Sequence, residues 1–179
     1  MSVVVSTEES VHEVALALEA VCIDAYTGST NDAPDIVFHS VGPPPFDCCP
    51  MLAIDVPQLG AEITSPNAPA AATGRQASFQ RVNMIPLAIT ILRCVPVIRS
   101  VKELPTTAEM TDATEVIRRD GWLLWNAIMH AIRNGEFKDM CSIIHLDRAV
   151  AVREQGGCAG WRILLRVELG GIPNPGPGP

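Results

Sequence analysis

The chain has no C-x-x-C pair, no phosphate-binding glycine loop, no apolar run of 18 residues and no surplus of basic charge. Each absence removes a class of function. The six cysteines, Cys22, Cys48, Cys49, Cys94, Cys141 and Cys158, have no histidine at ligand spacing, which argues against a zinc site. Cys22 falls on a helical pattern, Cys94 within a strand pattern and Cys141 at the start of another, where small buried hydrophobes are expected. Cys48 and Cys49 point opposite ways on an extended segment, so one of them is left to pair with another cysteine or to sit at an interface. Gly156, Gly157 and Gly160 do not match G-x-x-x-x-G-K-[ST], and a strand follows them where a phosphate would need a helix N-terminus. Thirteen basic against 20 acidic residues give a formal charge of −7, a poor balance for gripping a phosphate backbone. The opening residues MSVVVSTEES contain no basic region leading into an apolar stretch. Neither secretion nor membrane insertion is therefore expected, and the protein is read as made in cytoplasm.

What remains is a globular composition with prominent irregular connections: 47% hydrophobic and 18% charged residues, with 15 prolines and 13 glycines. One domain over residues 1–171 is long enough to bury a core without disulfides or metal, and residues 172–179 form a Pro/Gly tail. Ser6 and Glu9 match a capping box ahead of a helix over 7–25. Short strands are predicted from Ile36 to Val41 and over 51–56, the second limited by Pro57. Residues 58–80 read as a long loop or arm. The run VNMIPLAITILRCVPV over 82–97 predicts a central strand buried on both faces, with Arg93 toward an end and Pro86 and Pro96 where pairing weakens. Thr106 with Glu109, and Asn134 with Gly135, bracket a second helix of about 28 residues. The stretch from Arg148 to Leu169 reads as two strands about a glycine turn. In its second arm Trp161, Ile163, Leu165, Val167 and Leu169 form a dry face, and Arg162, Leu164, Arg166 and Glu168 a mostly wet one. The expected fold is α+β, a mostly antiparallel or mixed sheet flanked by two main helices with long Pro/Gly-rich loops.

Chemistry is sparse. His12 sits on a polar helix face, His39 in a short strand, His130 on the second helix and His145 in a late strand, none with a visible partner. His145 and Asp147 share a side of their strand and could orient one another as base and orienter, or simply line a solvated face. On the second helix Ala113, Ile117, Leu124, Ile128 and Ala131 form one stripe, which Trp122, Trp125, Met129 and Ile132 widen. Either both tryptophans pack on their own sheet, or one belongs to a subunit interface, where tryptophan is enriched. Arg162 and Arg166 share a strand face and meet either an acidic partner or water. No catalytic, cofactor-binding or metal-binding residue is assigned, and no cofactor is expected.

The order of elements, the doublet in FDCCPMLAI, the strand ILRCVPVI, the helix segment DGWLLWNAI and the hairpin QGGCAGW resemble virion proteins of long-tailed phages infecting actinobacteria, and among them the tail terminators of the phage neck. The resemblance extends over residues 47–169. It implies a small α+β structural protein, not an enzyme, assembled as a homo-hexameric ring that caps the tail tube and joins it to head-completion (stopper) proteins. It also implies assembly in the host cytoplasm, residence in the virion, and passage of genomic DNA without specific binding. A stopper or adaptor would share these features. A small enzyme using His145 and Asp147, or a host-takeover binding module, are the other readings. The family carries no motif that places individual contacts, so Trp122, Trp125, Arg162 and Arg166 are candidate interface residues on their own chemistry.

Overall fold

In a computed structural model of the chain, residues 7–44, 50–57, 84–97, 104–155 and 157–168 are described. Two helices, α1 (Thr7–Asp24) and α2 (Thr107–Asn134), accompany five strands: β1 (Ile36–Val41), β2 (Met51–Val56), β3 (Met84–Cys94), β4 (Ile143–Gln155) and β5 (Cys158–Glu168). They form one sheet in the order β1-β2-β3-β5-β4. β1 runs parallel to β2, and the other neighbouring pairs are antiparallel. This is the α+β arrangement of mixed sheet and two helices expected from the sequence. Ser6, the Cys48–Cys49 doublet, the 58–80 arm and the 172–179 tail lie outside the described residues.

Helix α2 begins and ends where local chemistry dictates. At the start of α2 the Thr106 hydroxyl accepts from the Glu109 backbone N–H at 3.2 Å, and the Glu109 carboxylate accepts from the Thr106 N–H at 2.7 Å, a reciprocal capping box. At its end Gly135 takes a left-handed conformation, φ 72°, that a side chain would disfavour. β4 and β5 form the predicted hairpin, with Gly157 at φ 79° in the turn. Pro86 lies inside β3, opposite Arg166 of β5. Described pairing with β2 reaches only to Ala88, so the missing N–H of Pro86 breaks no bond on that side.

Both helices pack on the same face of the sheet. Val14 and Leu18 of α1, and Leu124 and Ile128 of α2, are fully buried in one cluster with Ile89 of β3 and Ile163 of β5. The opposite face holds a second cluster of Met51, Ala53, Leu92 and Cys158, with Phe38 and Val152 against it and, among the described residues, no helix residue in it. β3 is thus buried on both sides, as its apolar run predicts. The mostly wet face expected for β5 is a correction: Arg162, Leu164, Arg166 and Glu168 are all half-buried. Alternation in a sequence reports which residues share a face, and the two arginines on this one are engaged by carboxylates. Cys94 is a second correction, for it is exposed at the last position of β3, across the ladder from buried Cys158. The strand ends there, three residues short of the predicted limit, so the position lies beyond the core.

At Gly160 the neighbouring backbone of β3 leaves no room for a side chain. A Cβ there would stand 1.8 Å from the Ile91 carbonyl oxygen, so β3 and β5 can lie this close only with glycine at that position. Leu124→Ala is expected to cost about 2–5 kcal/mol in urea unfolding, as for other fully buried leucines. Gly160→Ala should destabilise the fold although it adds only one methyl, and a variant as stable as the parent would contradict this packing.

Candidate functional site

The placement of α2 over the sheet is set by a buried carboxylate. Asp120, 1% exposed, accepts from Arg93 Nε at 2.6 Å and Nη2 at 3.1 Å, from Asn31 Nδ2 at 2.8 Å and from the Tyr26 hydroxyl at 3.1 Å. Arg93, near the end of β3 as expected, also donates to the Asp32 carbonyl and lies 5.7 Å from the Tyr26 ring centroid. Asn31 donates further to the Val116 carbonyl at 3.0 Å. Burial works against the guanidinium charge, but the hydrogen bond and charge of Asp120 outweigh it and hold the Arg93 pKa above its ordinary value. The Tyr26 hydroxyl is pushed well up by burial and by the Asp120 charge, so it remains a donor.

With Asp120 turned inward, the next residue of α2 meets β5. Trp161 Nε1 donates to the Ile117 carbonyl at 2.9 Å, and its indole lies so close to Gly121 that a Cβ there would sit 2.6 Å from Nε1. Trp122 then points outward, 61% exposed, and Trp125, one turn on, is half-buried against the main core. Arg118, Gly121, Trp122, Trp125, Ala149 and Trp161 line a groove of about 370 Å³ between α2 and the β4–β5 hairpin. All three tryptophans of the chain line it. Arg118 stands at its margin, paired with Glu115 at 2.7 Å. The groove can take an apolar group that presents hydrogen-bond acceptors at its edge.

The other candidate interface residues lie on the opposite face of the sheet. Arg162 donates to Asp55 Oδ2 at 2.5 Å and to Thr90 Oγ1 at 3.2 Å, and Arg166 donates to Asp147 at 2.7 Å. Asp55 is fully buried, and its second oxygen, Oδ1, has no hydrogen-bond partner. Burial raises the Asp55 pKa above the usual carboxylate range, against the pull of the Arg162 charge. Because Asp147 is bound to Arg166, it is not the orienter of His145 that the sequence suggested. The ladder shifts register between Leu146 and Arg148, which breaks the strand alternation that would put His145 and Asp147 on one side.

One histidine has a partner that the sequence did not reveal. His39 Nε2 lies 2.7 Å from Glu19 Oε2, and the His12 ring meets the His39 ring edge-on at 5.9 Å. Beside them is an apolar hollow of about 630 Å³ lined by His12, His39, Val41, Ile54 and Leu87 among others. The hydroxyl of Ser40, also on its wall, is directed to the Gly42 carbonyl at 3.1 Å. Burial pushes the Cys22 thiol up to about 12, with the Glu19 charge adding to the shift, so it stays protonated. Among the described residues no group of three His, Cys, Asp or Glu side chains is arranged to hold a metal ion, and no helix is long and apolar enough to cross a membrane.

No protein-family description and no curated protein sequence matches this chain.

Two substitutions test the polar contacts. Gly121→Ala should displace the Trp161 indole and weaken its bond to Ile117, read as a change in near-ultraviolet circular dichroism with helix content retained. Arg162→Met should cost about 3–5 kcal/mol at neutral pH by leaving a buried carboxylate without its counter-charge. Since the folded-state pKa of Asp55 lies above its unfolded value, ionisation opposes folding as pH rises through it. The loss from Arg162→Met in urea unfolding should therefore be larger at neutral than at mildly acid pH, and equal losses would contradict the assignment.

Proposed function

We propose that this chain is a structural protein of a phage neck, a tail terminator. In this reading its copies close into a hexameric ring that caps the tail tube and joins it to head-completion proteins while DNA passes through. The family resemblance supplies the role, and one structural observation supports assembly by shape: the two edges of the sheet differ. β1 presents Val41, 85% exposed, and Ile36, beside the acidic helix α1, which contains Glu13, Glu19 and Asp24 and no lysine or arginine. β4, at the far edge, presents Ile143 and Val150 with the exposed Arg148 and Arg153. A ring needs a heterologous contact in which one patch meets a different patch on the next copy, and an apolar edge beside an acidic helix, facing an apolar edge of mixed charge that includes Arg148 and Arg153, satisfies that need. A net −7 per copy also suits a conduit that must not arrest a phosphate backbone.

Light scattering and negative-stain imaging of the pure protein, alone and with tail tubes, test this reading. Six-membered rings are expected under one of the two conditions, and the protein is expected in purified particles. A strict monomer in both conditions that is absent from particles would overturn it. The edge contact makes a sharper prediction. Val41→Glu and Val150→Glu should each abolish rings with unchanged circular dichroism. An equimolar mixture of the two variants should give dimers only, because one intact pair of edges remains in it.

A further inference from the structure

The tryptophan groove continues along the chain toward the end of β5. Between α2 and β4 runs a flank of half-buried apolar side chains, Trp125 and Ile132 on the helix and Ile144, Leu146 and Ala149 on the strand, all packed on the main core. At the end away from the tryptophans it opens into a hollow of about 250 Å³ lined by Ile132, Phe137, Cys141 and Ile144 among others. The last described residue of β5 is at that hollow: Glu168 pairs with Ile143, and its carbonyl accepts from the Ser142 N–H at 2.9 Å. From there Trp161 lies seven residues back along β5, a distance of about 23 Å at strand rise.

The chain that follows Glu168 reads Leu169, Gly170, Gly171 and then IPNPGPGP. Two consecutive glycines allow a reversal of direction, since both can take positive φ. The eight residues after them, with proline at alternate positions, favour the polyproline II conformation and span about 25 Å in it. That length matches the path back to Trp161. The chemistry matches as well. Polyproline II segments dock into aromatic-lined grooves, where proline rings lie on indole faces and the unpaired backbone carbonyls take donors. Here the exposed Trp122 indole stands at the groove margin to donate, beside an Arg118 guanidinium whose Nε and Nη2 are held by Glu115. The segment carries no charged side chain, in keeping with a groove whose ionisable side chain among the described residues, Arg118, is already paired with Glu115.

We propose that residues 172–179 fold back along the α2–β4 flank and seat in the tryptophan groove of their own chain. This contact does not depend on the ring reading. It leaves the β1 edge and Val150 of the β4 edge open, touches the β4 edge at Ile143 alone, and would hold in a monomer.

Because all three tryptophans line the groove, intrinsic emission reports its occupancy. The full chain is compared with two forms: one truncated after Gly171, and a full-length variant carrying Pro173→Ala, Pro175→Ala and Pro177→Ala. Both altered forms should show red-shifted emission and greater iodide quenching than the parent, independent of protein concentration. The synthetic peptide IPNPGPGP should reverse the shift of the truncated form saturably. Equal emission in all three proteins would overturn the proposal. A shift on truncation but none in the alanine variant would overturn recognition of the proline conformation. A parent signal that approaches that of the truncated form on dilution would assign the groove to the tail of a second copy and overturn docking within one chain.

Discussion

The Asp120 carboxylate fixes the relation between α2 and everything beneath it. A charge buried to this depth is tolerated only when its lone pairs are filled and a counter-charge is close. Arg93, Asn31 and Tyr26 meet that requirement from two separate segments, the end of β3 and the connection that follows α1. A slip of one residue in α2 would put Arg119 or Gly121 where Asp120 stands and leave Arg93, Asn31 and Tyr26 without their shared acceptor. The register of the helix is therefore specified by a polar contact, while its adhesion comes from Leu124 and Ile128 on the same stripe. Given that register, Gly121 must face Trp161 and Trp122 must face outward, so the tryptophan groove follows from the position of one carboxylate.

The sheet separates two kinds of surface. Its helix-bearing face is an aliphatic core whose polar requirements are met at the margin by Asp120. Its other face carries a polar group too, with Asp55 fully buried against the Arg162 guanidinium. A carboxylate held there with one oxygen unpartnered and its pKa raised stabilises little by itself. What it does impose is pairing register, because only one alignment of β2, β3 and β5 brings Asp55, Thr90 and Arg162 together. Register in a sheet buried on both faces is otherwise weakly signalled, since a slip exchanges one apolar residue for another.

Local signals were readable in the sequence, and contacts between distant segments were not. The capping box at Thr106, the stop at Gly135, the apolar run of β3 and the hairpin turn at Gly157 each depend on neighbours a few residues apart, and each lies where its pattern places it. The Tyr26–Asp120 bond spans 94 residues and the Asp55–Arg162 bond 107, and no periodicity connects such pairs. Arg93 could be placed at the end of its strand, but its partner could not be named. The same limit explains His39, whose Glu19 lies on another element, and Asp147, whose Arg166 lies across a ladder that a bulge has shifted. On α2 the sequence placed Leu124, Ile128 and Ala131 on the buried stripe, but it also put the half-buried Ala113 and Ile117 there and left out Asp120 and Gly121. It could not separate Trp125, which packs inward, from Trp122, which does not.

The three tryptophans form a graded series, and that gradation bears on what the flank is for. Trp161 is fixed by a hydrogen bond and by the missing side chain of Gly121, Trp125 is half-buried, and Trp122 is open to solvent. A large indole left exposed beside a pre-formed apolar groove keeps in water the area whose burial would contribute most. Solubility alone would favour a smaller or charged residue at that position, and the neighbouring Arg118 and Arg119 show that α2 accommodates charge there. Rigid aromatic walls bind with little loss of side-chain freedom, and a proline-rich segment loses little backbone freedom on docking, so the two together lower the entropic cost of closing the groove. A flank already shaped for such a segment, starting at the strand end from which that segment leaves, needs no rearrangement of α2 and no change in the Asp120 network to accept it.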